Sequence, residues 1–164
     1  MSESGPAPLL VRVGSALLDR GWRLVSAESC TGGLLAARLT EMPGSSNWFE
    51  GAFVTYRLSA KTAMVGVPKT LLDRHGAVSE PTARAMAEGA LAHSDADVSV
   101  AITGVAGPDG GDVLAPVGTV WFAWAVRENG IRCVQTAEHH LAGSRQVVRE
   151  QAVEVALRGI LELL

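Results

Sequence analysis

Leu9, Leu10, Val13, Leu17 and Leu18 recur at helical spacing and Gly21 follows them, so the chain is expected to open with an amphipathic helix. Residues 22–27 form a short apolar run that reads as a buried strand. A helix is expected over 34–40, stopped by Met42-Pro43-Gly44-Ser45-Ser46, and a second strand over 48–55. Ser59 is the expected N-cap of a short helix through Met64, which would put Lys61 in its first turn. Residues 69–74 read as another short helix ended by Gly76, and Ser79-Glu80-Pro81 opens a longer one to about His93. Val98, Val100 and Ile102 alternate with small residues in a strand that runs to Thr103. Strands over 117–126 and 131–139 flank Glu128-Asn129-Gly130, a hairpin turn. A terminal helix over 144–163 places Val148, Ala152, Val155, Ala156 and Leu163 near one face. Helices and strands alternate first and a hairpin follows. The expected fold is therefore α/β: one three-layer α/β/α domain on a mixed β-sheet over 9–164, behind a loose tail over 1–8.

Composition narrows the class only modestly. The 164 residues suit a single domain, with 48% hydrophobic and 19% charged residues. A net charge of −3 without a basic stripe gives no reason to expect nucleic acid as a partner. Cys30 and Cys133 are too few for a disulfide framework, the first eight residues lack the signature of a secretory leader, and no apolar stretch is long enough for a membrane span. A cytoplasmic protein is expected, without a membrane partner. Lys61 and Lys69 are the only lysines among fourteen basic residues. Arginine does not give up its proton in a protein, whereas a desolvated lysine can act as a base.

Chemistry concentrates at Glu28-Ser29-Cys30-Thr31-Gly32-Gly33, between the first strand and the helix after it. A hydroxyl and a thiol there stand beside helix-start amides that lack internal partners, a setting for an oxyanion hole. Ser29 and Cys30 compete for the nucleophile role, with the amides of Thr31, Gly32 and Gly33 as oxyanion donors. The competing reading is a serine N-cap and a small buried cysteine. Lys61 is the base candidate and Tyr56 a proton relay, against a solvated lysine and an interfacial tyrosine. The segment Thr103-Gly104-Val105-Ala106-Gly107-Pro108-Asp109-Gly110-Gly111-Asp112 could turn its amides toward a phosphate or serve only as a wide turn. Neither Rossmann nor Walker spacing fits it, and its two aspartates have no partners at metal-ligand spacing. Arg145 could clamp an anion with its fork of donors, or lie solvated on the surface.

Taken in order, Ala27-Glu28-Ser29-Cys30-Thr31-Gly32-Gly33, Pro43-Gly44-Ser45-Ser46, Gly51-x-Phe53-Val54-Thr55-Tyr56 with Lys61, the 103–111 loop and Pro116-Val117-Gly118-Thr119-Val120 resemble the CinA C-terminal domain family. Stand-alone members of that family include nicotinamide-mononucleotide amidohydrolases. The resemblance runs from about Leu10 to the C-terminus. It implies deamidation of nicotinamide mononucleotide to nicotinic acid mononucleotide and ammonia, in pyridine-nucleotide salvage. It further implies Ser29 as nucleophile, Lys61 as general base and Tyr56 assisting, with no metal or other cofactor, in a homodimer. Cys30, Thr31, Gly32 and Gly33 would surround the reacting carbonyl. Thr103, Gly104, Ala106, Gly107 and Arg145 would hold the ribose phosphate.

The chain departs from the family's pattern twice. Ser144 stands where an acidic or amide residue is usual, and Asp112-Val113-Leu114-Ala115 replaces a segment that commonly resembles Thr-Pro-Glu-Lys. The second change removes a lysine that could face the substrate. The alternative to an amidase is a non-catalytic nucleotide-binding or competence- and damage-related regulatory domain of the same fold.

Overall fold

The computed structural model describes residues 6–164. Residues 1–5 of the expected tail lie outside them, and helix α1 (Pro6–Arg20) already includes the last three tail positions. After it come β1 (Leu24–Glu28), α2 (Leu34–Thr40), a single 3-10 turn at Ser45–Asn47 and β2 (Phe49–Val54). Helices α3 (Leu58–Val65), α4 (Lys69–His75) and α5 (Glu80–Ala92) follow, then β3 (Val98–Gly104), β4 (Thr119–Arg127), β5 (Ile131–His140) and α6 (Arg145–Leu163). The sheet has the order β2-β1-β3-β4-β5. Strands β1, β2 and β3 run parallel, while β4 and β5 are antiparallel to their neighbours. This is the mixed α/β/α architecture expected.

Side-chain size separates the two faces of the sheet. Val100, Ile102, Phe122 and Trp124 pack in one apolar cluster with residues of α1, α2 and α6. Ala101, Ala123 and Ala125 turn the other way, into a cluster with Ala83, Met86, Ala87 and Ala90 of α5. Small residues on both partners let α5 approach closely, and Ser99 Oγ donates across that gap to Ala87 O at 2.7 Å. In the hairpin, Asn129 (φ 54°) and Gly130 (φ 106°) both adopt the left-handed backbone that this turn requires. Among the described residues no helix is long and apolar enough to cross a membrane.

One expected boundary is displaced. Ser59 does not cap α3; the N-cap is Arg57, in extended backbone and without a side-chain cap bond. The chain leaves β2 and turns two residues earlier than expected, and Lys61 N bonds Arg57 O at 3.2 Å. Ser144, by contrast, caps α6 by accepting from Val147 N at 3.3 Å, so the departure there leaves a competent helix start.

The order of the strands locates the site. From β1 the chain crosses by α2 on one face to β2, then returns by α3, α4 and α5 on the other face to β3. The crossovers thus part on either side of β1, and open α/β sheets bind ligands beyond the carboxyl ends of strands at such a point. Ser29, Tyr56 and Val105 all lie just beyond those ends.

Candidate active site

Ser29, Lys61, Tyr56, Thr103, Gly107 and Arg145 line one cleft of about 790 Å³. Lys61 is 1% exposed and Ser29 8%. A helical side chain leans toward the N-terminus of its own helix, and here that end abuts the exit of β2. Lys61 Nζ therefore reaches back to Thr55 O at 2.6 Å and Tyr56 O at 3.2 Å, and across to Ser29 Oγ at 3.0 Å. Two carbonyls and one hydroxyl match the three hydrogens of an ammonium. Once neutral, the amine keeps two donors for the carbonyls and turns its lone pair to the serine hydroxyl.

Burial favours that neutral form. It lowers the Lys61 pKa from 10.5 to about 8, partly opposed by the nearby Cys30 thiol. The unfolded chain holds the lysine proton up to about pH 10.5 and the folded chain only to about pH 8. The burial penalty is thus complete below pH 8 and fades as pH rises through that window, so this group makes stability increase with pH. The whole effect is on the order of 3 kcal/mol. Urea midpoints of the wild type should rise from pH 7.5 to 9 relative to those of Lys61→Met; parallel curves would show a lysine already solvated.

The environments of the serine and the cysteine differ. Cys30 packs in the core cluster on the α1–α6 face, and burial pushes its thiol up to about 11. A thiol is a strong nucleophile only as thiolate. Ser29 is the side chain bonded to the lysine, and Cys30 is left to shape the cleft wall.

Of the three expected oxyanion donors, one is engaged inside the junction. Gly32 N bonds Ser29 O at 3.0 Å and Leu34 N bonds Thr31 O at 2.9 Å. The first turn of α2 is capped by Glu28, whose fully buried carboxylate accepts from Leu35 N at 2.9 Å and Ala36 N at 3.1 Å. The same carboxylate takes the hydroxyls of Thr31 at 2.7 Å and Ser26 at 3.2 Å. Thr31 therefore points into the protein, and Thr31, Gly32 and Gly33 do not line the cleft. Among the described residues the junction amides not engaged internally are those of Cys30, Thr31 and Gly33.

The Tyr56 hydroxyl is not brought to the serine or the lysine. Its side chain is 57% exposed, and its hydroxyl accepts from Arg145 Nη2 at 3.1 Å rather than meeting Ser29 or Lys61. It serves the lysine through its backbone carbonyl instead. Arg145 also donates from Nη1 to Gly107 O at 2.8 Å, which ties α6 to the glycine-rich loop. In that loop Thr103 Oγ1 donates to Ala77 O at 2.8 Å, and Gly104 and Ala106 line the wall. A Cβ at Gly104 would stand 2.8 Å from Thr119 O, so β3 can pass β4 there only as glycine. Asp112 builds a turn by accepting from Leu114 N and Ala115 N, leaving Val113 and Leu114 97% and 94% exposed and away from the cleft. Among the described residues no group of three His, Cys, Asp or Glu side chains could hold a metal ion.

Four residues were given no functional role in the reading of the sequence. Glu28 sat within the motif without a role, although a carboxylate ending a buried strand just before a helix has amides to find. Arg57 and Asp109 also line the cleft. Arg149 donates from Nε to Cys30 O at 3.1 Å and from Nη2 to Thr31 O at 2.8 Å. It stands one helical turn beyond Arg145, a spacing that could have exposed it.

A family model described as the CinA C-terminal domain matches residues 7–164. The Escherichia coli K12 protein named nicotinamide-nucleotide amidohydrolase PncC is 49% identical over 159 residues, covering 96% of this chain and 94% of its own. A putative competence-damage inducible protein of Symbiobacterium thermophilum is 55% identical over 150 residues, 88% of this chain but only 35% of that longer one. A crystal structure of a CinA superfamily protein from Klebsiella pneumoniae superposes with a TM-score of 0.90 at 40% identity, covering 97% of each chain.

Proposed function

The chain belongs to the CinA C-terminal domain family, and from that premise we propose that it hydrolyses the carboxamide of nicotinamide mononucleotide to nicotinic acid mononucleotide and ammonia. The observation that carries the reading is the buried Lys61 amine at 3.0 Å from Ser29 Oγ. Neutral Lys61 takes the hydroxyl proton as Ser29 Oγ attacks the carboxamide carbon. The oxygen of the tetrahedral intermediate gathers negative charge beside the free amides after Ser29. Lys61 returns its proton to the amide nitrogen, the C–N bond breaks and ammonia leaves an acyl ester on Ser29. Water, deprotonated by Lys61, attacks that ester, and the proton goes back to Ser29 as the carboxylate product departs.

The rim of the cleft suits the rest of such a substrate. Arg57 and Arg145 supply positive charge for a phosphate, and Asp109 offers acceptors for ribose hydroxyls. Tyr56, bonded to Arg145, steadies that arginine in this scheme. Arg145→Ala should raise KM for the mononucleotide about tenfold or more with a smaller change in kcat, while hydrolysis of the free base nicotinamide stays at its wild-type level. An equal loss on both substrates would remove Arg145 from phosphate recognition.

Ammonia release from nicotinamide mononucleotide, coupled to formation of the acid in equal amounts, tests the function directly. Ligand binding without ammonia would favour the regulatory, non-catalytic alternative. The homodimer and cytoplasmic location implied by the resemblance belong to the same proposal. Strand β5 is a sheet edge of ten residues with little of it fully buried, a surface that pairing could cover. Sedimentation equilibrium should give twice the chain mass of 17.1 kDa, and a monomer at micromolar concentration would remove the dimer.

A further inference from the structure

Val113 and Leu114 are the most exposed large apolar side chains among the described residues, and they are held in water rather than left loose. Asp112 fixes the tip that carries them. Its carboxylate accepts from Leu114 N at 2.9 Å and Ala115 N at 2.7 Å, and its own N–H donates to Ala115 O at 3.0 Å. Residues 108–115 make no other hydrogen bond among the described residues. Below them the two arms of the loop are clipped together, Val105 N to Thr119 O at 2.9 Å and Gly118 N to Val105 O at 2.7 Å. Gly110 (φ 94°) and Gly111 stand side by side before the tip, where backbone without a Cβ turns most freely. A stiff apolar tip thus sits on a pliant stem above a fixed base. Keeping it in water costs free energy that a matching apolar surface would recover.

The chain carries such a surface beside the same opening. Leu58, Thr62 and Ala63 of α3 and Leu72 of α4 line an apolar groove of about 450 Å³. Leu58 and Ser59 border both this groove and the cleft, while Asp109 and Gly110 border the cleft at the foot of the tip. A cube of the cleft's 790 Å³ has an edge of about 9 Å, and the four residues from Gly110 to Leu114 extend to about 13 Å. The tip can therefore reach Leu58 while Gly110 stays at the rim.

We propose that residues 108–115 form a strap that closes over the bound mononucleotide, with Val113 and Leu114 seated in the groove between α3 and α4. This closure rests on the nucleotide reading above, and it acts before acyl transfer. Once ammonia has left, the ester on Ser29 tethers the mononucleotide covalently, so the strap can open and admit water without losing it. Weakening the strap should therefore loosen binding and spare turnover.

Two measurements on the full chain test it. Ala63→Cys with Leu114→Cys, in a Cys133→Ser background, puts one exposed thiol in the groove and one on the tip. A disulfide needs Cα atoms within about 7 Å, so under mild oxidation it forms only when the tip is seated. The control pair is Ala92→Cys with Leu114→Cys, since Ala92 is exposed at the last position of α5 and lines neither the cleft nor the groove. The 63–114 bond should form within one chain at least about tenfold faster than the control, and about tenfold faster again when nicotinamide mononucleotide saturates the same pair carrying Ser29→Ala. Val113→Ser with Leu114→Ser should raise KM for the mononucleotide roughly tenfold, with kcat within about threefold, because two aliphatic side chains lose their seat. A 63–114 bond no faster than the control overturns the strap, as does one found only between chains, which would seat the tip on a second copy. A rate that bound nucleotide leaves unchanged, or an unchanged KM in the double serine variant, overturns it too. If the cysteine pair closes without ligand yet the wild type releases no ammonia, only the substrate reading falls.

Discussion

Ser29→Ala should abolish ammonia release, with kcat down by on the order of 10⁴ or more, whereas Cys30→Ala should retain turnover within about threefold. Adjacent residues could hardly differ more in expected effect, and their surroundings explain why. The serine hydroxyl receives the lysine amine at 3.0 Å and opens on the cleft. The thiol lies among core side chains with its pKa pushed up to about 11, so at neutral pH almost none of it is thiolate. Removing Cγ-equivalent bulk at Cys30 leaves a small void, a stability effect of about 1 kcal/mol rather than a catalytic one. Steady-state ammonia assays on the two purified variants decide the matter. A dead Cys30→Ala beside an active Ser29→Ala would transfer the nucleophile to the cysteine and overturn the mechanism.

Lys61→Arg should be nearly as inactive as Lys61→Ala, on the order of 10³-fold below wild type, although it keeps the positive charge. Two properties of the site produce this. A guanidinium does not deprotonate near neutral pH, so it cannot accept the serine proton. The site that holds Lys61 is also closed to solvent, and a wider planar head cannot satisfy Thr55 O, Tyr56 O and Ser29 Oγ together. The lowered lysine pKa gives the accompanying pH dependence. Below about pH 8 the amine is mostly protonated and cannot act as base, so kcat/KM should fall tenfold per pH unit and level off above that point. The residual rate of the arginine variant should lack this limb. An arginine variant near full activity would reduce Lys61 to a binding charge.

Much of the framework was legible before any coordinates. The alternation of Val98, Val100 and Ile102 reports a strand whose large residues share one face, and they do pack together. Ser79 caps α5 and Asn129-Gly130 turns the hairpin, because each acts on atoms only a few residues away. The start of α3 escaped because capping preference is a weak local bias, and the exit angle of β2 overrode the pull of Ser59. The role of Glu28 escaped for a related reason. Free amides at a helix start are open to any acceptor, and the buried carboxylate of Glu28 reaches those of Leu35 and Ala36 first.

The order of residues along the chain determined the elements, the layered α/β class and the identity of a hydroxyl and a lysine able to react. Period, turn and cap signals arise from short-range sterics and from the contrast between water and an apolar interior, and these are written locally. Only the tertiary structure decided which polar groups meet. It placed Lys61 beside Ser29 across 32 residues, sent the Tyr56 hydroxyl to Arg145, and set Arg149 over the turn after Ser29. Those pairings follow from the order β2-β1-β3 and from competition among buried donors and acceptors for a limited set of partners, which no local window of sequence contains.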